Sequence, residues 1–199
     1  MHIEDIMAYE VSHTSNTRYC PIFDWVGEGY YFQDAPHQVP PGNPIAVEGF
    51  PRALRITSAH KTLPDFFLLS GKHAISSRTK NVLEKLEPGV HQYIPVILQK
   101  KSGEPFEGEF FVLHPCSAVD AIVPDRSDVF FHTTPAGRKT LRFKKVRPKL
   151  AVQKEEIKSR HFWTGNESFN RNYFSSDVFF NEAQKAKLKG FAFIPMTEI

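Results

Sequence analysis

His114 and Cys116 stand two residues apart. On a strand that spacing puts both side chains on one face, as a thiol nucleophile and its base would require. A reactive thiol also needs an electropositive setting, and a zinc site needs about four ligands, usually as paired short spacings. No second pair of this kind exists, so the two read as a strand-end histidine and a half-buried cysteine, with no metal. Glu104, Glu107 and Glu109 flank a turn, and Asp120, Asp125 and Asp128 share a segment with Pro124 and Ser127. Paired carboxylates can do acid–base work. Asp and Ser also favour turns on backbone grounds alone, and these acids read as solvated loop charges or caps. Gly27-Glu28-Gly29 begins like a dinucleotide fingerprint, but Phe32 takes the place of the third glycine and no helix follows. No nucleophile elbow, H-E-x-x-H pair or phosphate loop occurs. No catalytic residue and no cofactor is expected, and the chain is not read as an enzyme.

The remaining chemistry is that of binding. Arg138, Lys139, Arg142, Lys144, Lys145, Arg147 and Lys149 follow one another with no acid among them. On a strand, Arg142 and Lys144 take one face and Leu141 and Phe143 the other. Such a strand can receive an acidic partner or phosphates. It can equally be a solvated edge whose cations deter aggregation. No alternation of basic and aromatic residues of the RNA-binding kind accompanies it. Tyr30, Tyr31 and Trp163 are the aromatics placed to anchor a partner. Trp163 beside the Gly165-Asn166 turn can also cover the core, the reading preferred for it.

The elements that must position these residues are those of a globular protein. The 199 residues are 41% hydrophobic and 24% charged, ordinary for a folded chain and far from disorder. A net charge of +3 is too mild to mark a nucleic-acid protein without a concentrated face. Cys20 and Cys116 read as reduced thiols. The N-terminus carries acids and no basic flank, so no secretory signal is expected, and no apolar run reaches the ~20 residues that span a bilayer. A soluble, cytoplasmic protein without membrane contact is expected.

The first 62 residues read as a Pro-rich N-terminal extension packed on the body, with Pro40-Pro41-Gly42-Asn43-Pro44 as a loop and short strands at 29–32 and 53–56. Residues 63–199 read as an α+β domain, the whole forming one structural unit. Strands are expected at 66–69, 90–98, 106–113, 128–133 and 139–146, joined in the middle as an antiparallel meander. A helix carrying Val82, Leu83 and Leu86 is expected to start at Ser77 as N-cap and to stop at Gly89.

Two stretches share a skeleton of apolar-Ser-Ser, helix, Leu-x-Gly, and a strand ending Ile-Pro. They are 74–96 and 173–196, with two residues between Leu and Gly in the first and one in the second, and 18 and 19 residues from the second serine to the proline. The fold class predicted is α+β, with two similar helix–strand units flanking the meander.

The motifs Leu63-Pro64-Asp65-Phe66, Ile75-Ser76-Ser77, Tyr93-Ile94-Pro95-Val96 and Ala118-Val119-Asp120-Ala121-Ile122 carry a resemblance, joined by Tyr173-Phe174-Ser175-Ser176 and Phe191-Ala192-Phe193-Ile194-Pro195. Over residues 63–196 the chain resembles a family of bacterial immunity proteins from polymorphic-toxin and contact-dependent competition systems. The resemblance implies binding and neutralisation of a cognate toxin, with no catalytic residues. It also implies a toxin acting in the cytoplasm, such as a nuclease, an NAD-consuming enzyme or an ADP-ribosyltransferase. The surfaces expected to meet it are Arg138, Lys139, Arg142, Lys144 and Lys145 with Tyr30, Tyr31 and Trp163. The alternative is a nucleic-acid-binding module using the basic strand 138–149.

Overall fold

The computed structural model describes residues 8–26, 39–48, 52–133, 137, 139–145, 148–165 and 172–199. Arg138, Tyr30, Tyr31 and the strand expected at 29–32 lie outside these residues. The first run of elements is β1 (Ala8–His13), β2 (Phe23–Trp25), β3 (Ala53–Ile56), β4 (Phe66–Leu69), β5 (Lys72–Ser76), α1 (Ser77–Leu86) and β6 (Gln92–Gln99). The second is β7 (Phe110–His114), β8 (Val129–Thr133), β9 (Lys139–Phe143), β10 (Ala151–Val152) and α2 (Lys154–Ile157). It continues with β11 (Phe162–Thr164), β12 (Tyr173–Ser176), α3 (Asp177–Lys185), β13 (Phe191–Pro195) and β14 (Thr197–Glu198). The class is α+β, mostly sheet.

The two runs build the same sheet twice. In the first, the strand order is β2-β3-β6-β7-β5-β4. In the second it is β11-β12-β1-β13, and beyond Met196 the chain continues as β14, which pairs in parallel with β10. The registers agree residue for residue. Pro95 faces Phe111 as Pro195 faces Tyr9, Tyr93 faces Leu113 as Phe193 faces Val11, and Phe66 faces Ile75 as Phe162 faces Ser175. The outer strands agree too. Ile97 N donates to Arg52 O as Thr197 N donates to Leu150 O, and Val26 N donates to Ala53 O as Val123 N donates to Ala151 O.

A helical crossover between parallel strands leaves a gap one strand wide. Here β5–α1–β6 and β12–α3–β13 both leave it, and an antiparallel strand fills each. β7 lies between β5 and β6, while β1 lies between β12 and β13. Each run therefore gives its first strand to the other run's sheet.

This arrangement corrects several expectations. The middle strands do not form one meander: β8 and β9 make a separate two-stranded ribbon, and β7 is drawn between β5 and β6. β7 starts at Phe110 rather than 106, after Gly108 with φ +93° turns the chain. The N-cap of α1 is Ser76, not Ser77. Its hydroxyl accepts from Thr79 N, as Ser176 accepts from Phe179 N at α3. Counted from these caps, both units run 19 residues to their proline. The inward positions match as well: Thr79 and Leu83 in α1, Phe179 and Ala183 in α3.

Strand alternation divides the core in three. Leu54, Phe67, Ala74, Val96 and Val112 fill the outer face of the first sheet, and Val152, Trp163, Phe174, Met196 and Ala8 fill that of the second. Both inner faces close on a shared core of Phe66, Ile75, Leu83, Leu113, Val11, Phe162 and Phe179. The runs are also laced across this core. The amides of Asp65 and Phe66 donate to Lys189 O, after α3, and those of His161 and Phe162 donate to the Glu87 carboxylate, after α1. Gly190 sits where a Cβ would lie 2.0 Å from Phe66 O, with φ +97°, so only glycine allows this approach.

Where the sheets meet, His13 Nδ1 and His73 Nε2 share a hydrogen bond at 3.1 Å. His73 also stacks on Phe66 with ring centroids 4.6 Å apart. Burial, then the nearby His13 and Lys72, push His73 down to about 3, and burial lowers His13 and His114. A histidine depressed in the fold contributes stability that is complete above its unfolded value near 6.5 and is lost as pH falls below it. His73 alone should therefore cost about 1.4 kcal/mol per pH unit between pH 6.5 and 5. Urea denaturation at several pH values reads this slope. His73→Phe should flatten it by about one proton, and an unchanged slope would show that His73 is not the group responsible.

Candidate partner-binding surface

The ribbon β8–β9, preceded by a single 3-10 turn at Pro124–Arg126, lies in the second sheet's frame between Val123 and β10. The corresponding linker of the first run, between Val26 and β3, holds Tyr30 and Tyr31 and lies largely outside the described residues. Within the ribbon, Val129 faces Phe143, Phe130 faces Arg142, Phe131 faces Leu141 and Thr133 faces Lys139. Val129, Leu141 and Phe143 turn onto the second outer core. Phe130 and Arg142 then take the opposite face, and both are exposed. Phe131 points to the core side but lies past the core's edge, and is 58% exposed against 45% for Phe130.

The cations do not share one role. Lys139, Arg142 and Lys144 are exposed and form no ion pair among the described residues. Lys145 is engaged: its Nζ lies 2.8 Å from Asp128 Oδ2. Asp128 also accepts from Lys149 N at 2.7 Å. The Lys145 ammonium and this amide hold the Asp128 carboxyl below its ordinary range. Asp128 is thus a clasp at the ribbon's base rather than a loop charge. Trp163 is 1% exposed and stacks on Phe174 at 6.0 Å. It is core, which corrects its place among the exposed aromatics: it points from the second sheet into the cluster of Val129, Leu150, Val152 and Ile157. The ribbon therefore carries Arg142 and Lys144 on one face and Lys139 near its tip on the other, but not Trp163. Reasoning from sequence missed Phe130 and Phe131. Consecutive aromatics on a strand with only one covered face force one of them outward, which was the signal available.

The His114–Cys116 pair is not set up as an activated thiol. The His114 ring is bound to Asn43 O at 2.8 Å, and burial lowers its basicity. Burial pushes the Cys116 thiol up, the opposite of activation. Glu87, buried, accepts from two amides and from His91 Nε2, a bracing role. Among the described residues no three His, Cys, Asp or Glu side chains converge as a metal site. No described helix is long and apolar enough to cross a membrane. A groove of about 540 Å³ beside β6 is walled by Val47, Pro95, Ile97 and Phe111, with Arg52 and Glu109 as the charged neighbours among the described residues.

A comparison with family models matches residues 14–198 to an immunity protein family, Imm11. The match begins well before residue 63, so it takes in β2 and β3 and every later element, with β1 lying just before it. No curated protein matches the chain. With nearly its whole length covered, the chain belongs to the Imm11 immunity protein family.

Proposed function

We propose that this protein binds a cognate antibacterial toxin in the cytoplasm and neutralises it in a stoichiometric complex that covers the toxin's active site or the mouth of its substrate cleft. The family supports the class of function. The observation that carries the mode of action is the ribbon, which has no counterpart among the described residues of the first run. The frame's shared elements are used up in holding the fold. The ribbon instead leaves Phe130, Phe131, Lys139, Arg142 and Lys144 facing solvent, the mixture of aromatic and arginine from which interface hot spots are made. The toxin classes that suit a cytoplasmic immunity protein are a nuclease, an NAD-consuming enzyme or an ADP-ribosyltransferase.

The test is co-expression with the toxin encoded beside this gene. The pair should co-elute at equal stoichiometry, and cells should survive the toxin only with the partner present. Separate elution, or survival without binding, would overturn the proposal.

A further inference from the structure

We infer that the ribbon β8–β9 recognises an acidic surface on the toxin, one with an apolar hollow beside it and lying outside any phosphate-binding cleft. The inference rests on the proposed function and names the chemistry of the surface that would be met. Two exposed cations, Arg142 and Lys144, share one face of the ribbon with the exposed Phe130, while Phe131 and Lys139 lie exposed toward its tip on the other face. Asp128, the acid at the ribbon's base, pairs with Lys145, accepts from the Lys149 amide and also acts on Lys144, one carboxylate against several cations. The ribbon therefore presents net positive charge beside exposed aromatic side chains, and complementarity asks for the converse on the partner.

A cleft that binds nucleic acid or a dinucleotide is itself lined with cations to hold phosphates. It would repel this ribbon, since like charges brought together at an interface cost several kcal/mol. A toxin with a polyanionic substrate is thus gripped at an acidic rim, and the body of the immunity protein, not the ribbon, stands over the cleft. The phenylalanines supply the desolvated anchor, while the cations steer encounter and fix register.

The two contributions separate kinetically. In a surface-binding assay with the purified neighbouring toxin, the double variant Arg142→Glu/Lys144→Glu should associate about ten- to a hundredfold more slowly at low salt. Its dissociation should stay within about threefold of the parent. Phe131→Ala should instead raise dissociation by about tenfold or more. These side chains are exposed, so an unchanged thermal melt verifies folding in each variant. A double variant that associates as fast as the parent, or faster, overturns the inference while leaving the immunity reading intact. Tight binding of a short DNA duplex by the parent, lost in the double variant, overturns it in favour of a nucleic-acid surface. Failure of the parent to bind the toxin at all removes the function on which the inference rests.

Discussion

A chain lacking residues 1–14 should fail to fold cooperatively, although it loses only one short strand. β1 is hydrogen-bonded on both sides, to β12 and to β13. Removing it leaves those strands about 9.5 Å apart, two strand spacings, with nothing in the chain to close the gap. Ala8 and Val11, both buried, leave the second outer core and the shared core respectively. Tyr9 leaves its stack on Phe180, where the ring centroids are 4.5 Å apart. The shared core takes side chains from both sheets, so the first sheet cannot stay intact while the second opens. The loss should exceed the whole stability of an ordinary domain, about 5–15 kcal/mol. Near-UV circular dichroism and a thermal melt read it directly: the truncated chain should show no cooperative transition. If the N-terminal segment merely wrapped on a finished body, the melt would move by a few degrees at most, and that result would defeat the account of exchanged strands.

The contrast explains what sequence could and could not supply. β4, α1, β6, α3 and β13 are legible because each carries its own local signal: an apolar run, a serine cap, a glycine stop or a strand-ending proline. The repeat of 74–96 in 173–196 is legible for the same reason, displaced by one residue until the caps are seen to be Ser76 and Ser176. The exchange of β1 and β7 has no local signal, since the partners of each strand lie far away in the chain. β1 also hides its burial behind a charge. Glu10 is 7% exposed and lies in the middle of the strand, its carboxylate accepting from Asn172 Nδ2 at 2.7 Å. Burial raises Glu10 above the ordinary carboxylate range. β10 and β14 are two residues each, too short for any period to register. At the surface, the basic strand was legible from charge alone. The removal of Lys145 by Asp128, the burial of Trp163 and the exposure of Phe130 and Phe131 all depend on which face the second sheet covers.

Glu87→Ala should be the costliest single substitution among the polar residues, at about 3–5 kcal/mol. Glu87 follows α1 in the first run, yet the groups it satisfies belong mostly to the second. Its oxygens accept from His161 N, Phe162 N and His91 Nε2, each at 2.9 Å. Glu87 and His91 are both buried, as is Phe162. Alanine removes the only acceptor shown for each of these three donors, and an abandoned buried donor costs about 1–3 kcal/mol. For a chain of this size, each kcal/mol lowers Tm by about 2–4 °C, so the melt should fall by roughly 6–20 °C. Glu87→Gln keeps one acceptor oxygen but turns an NH2 toward donors, and should cost about half as much.

The decisive reading is where the damage appears. At the pseudo-equivalent start of β4, the amides of Asp65 and Phe66 donate to the Lys189 carbonyl, which no side-chain substitution removes. Hydrogen exchange should therefore accelerate at His161 and Phe162 well before Asp65 and Phe66, even though Glu87 lies nearer the latter in the chain. Equal acceleration at both strand starts, or a loss under about 1 kcal/mol, would mean that the carboxylate is not what ties the second sheet to the end of α1. The brace and the exchanged strand act on the same joint from opposite sides. β1 fills the second sheet from within, and Glu87 fixes its far edge to the first run's helix, so the ribbon that the second sheet carries is positioned by elements of both runs.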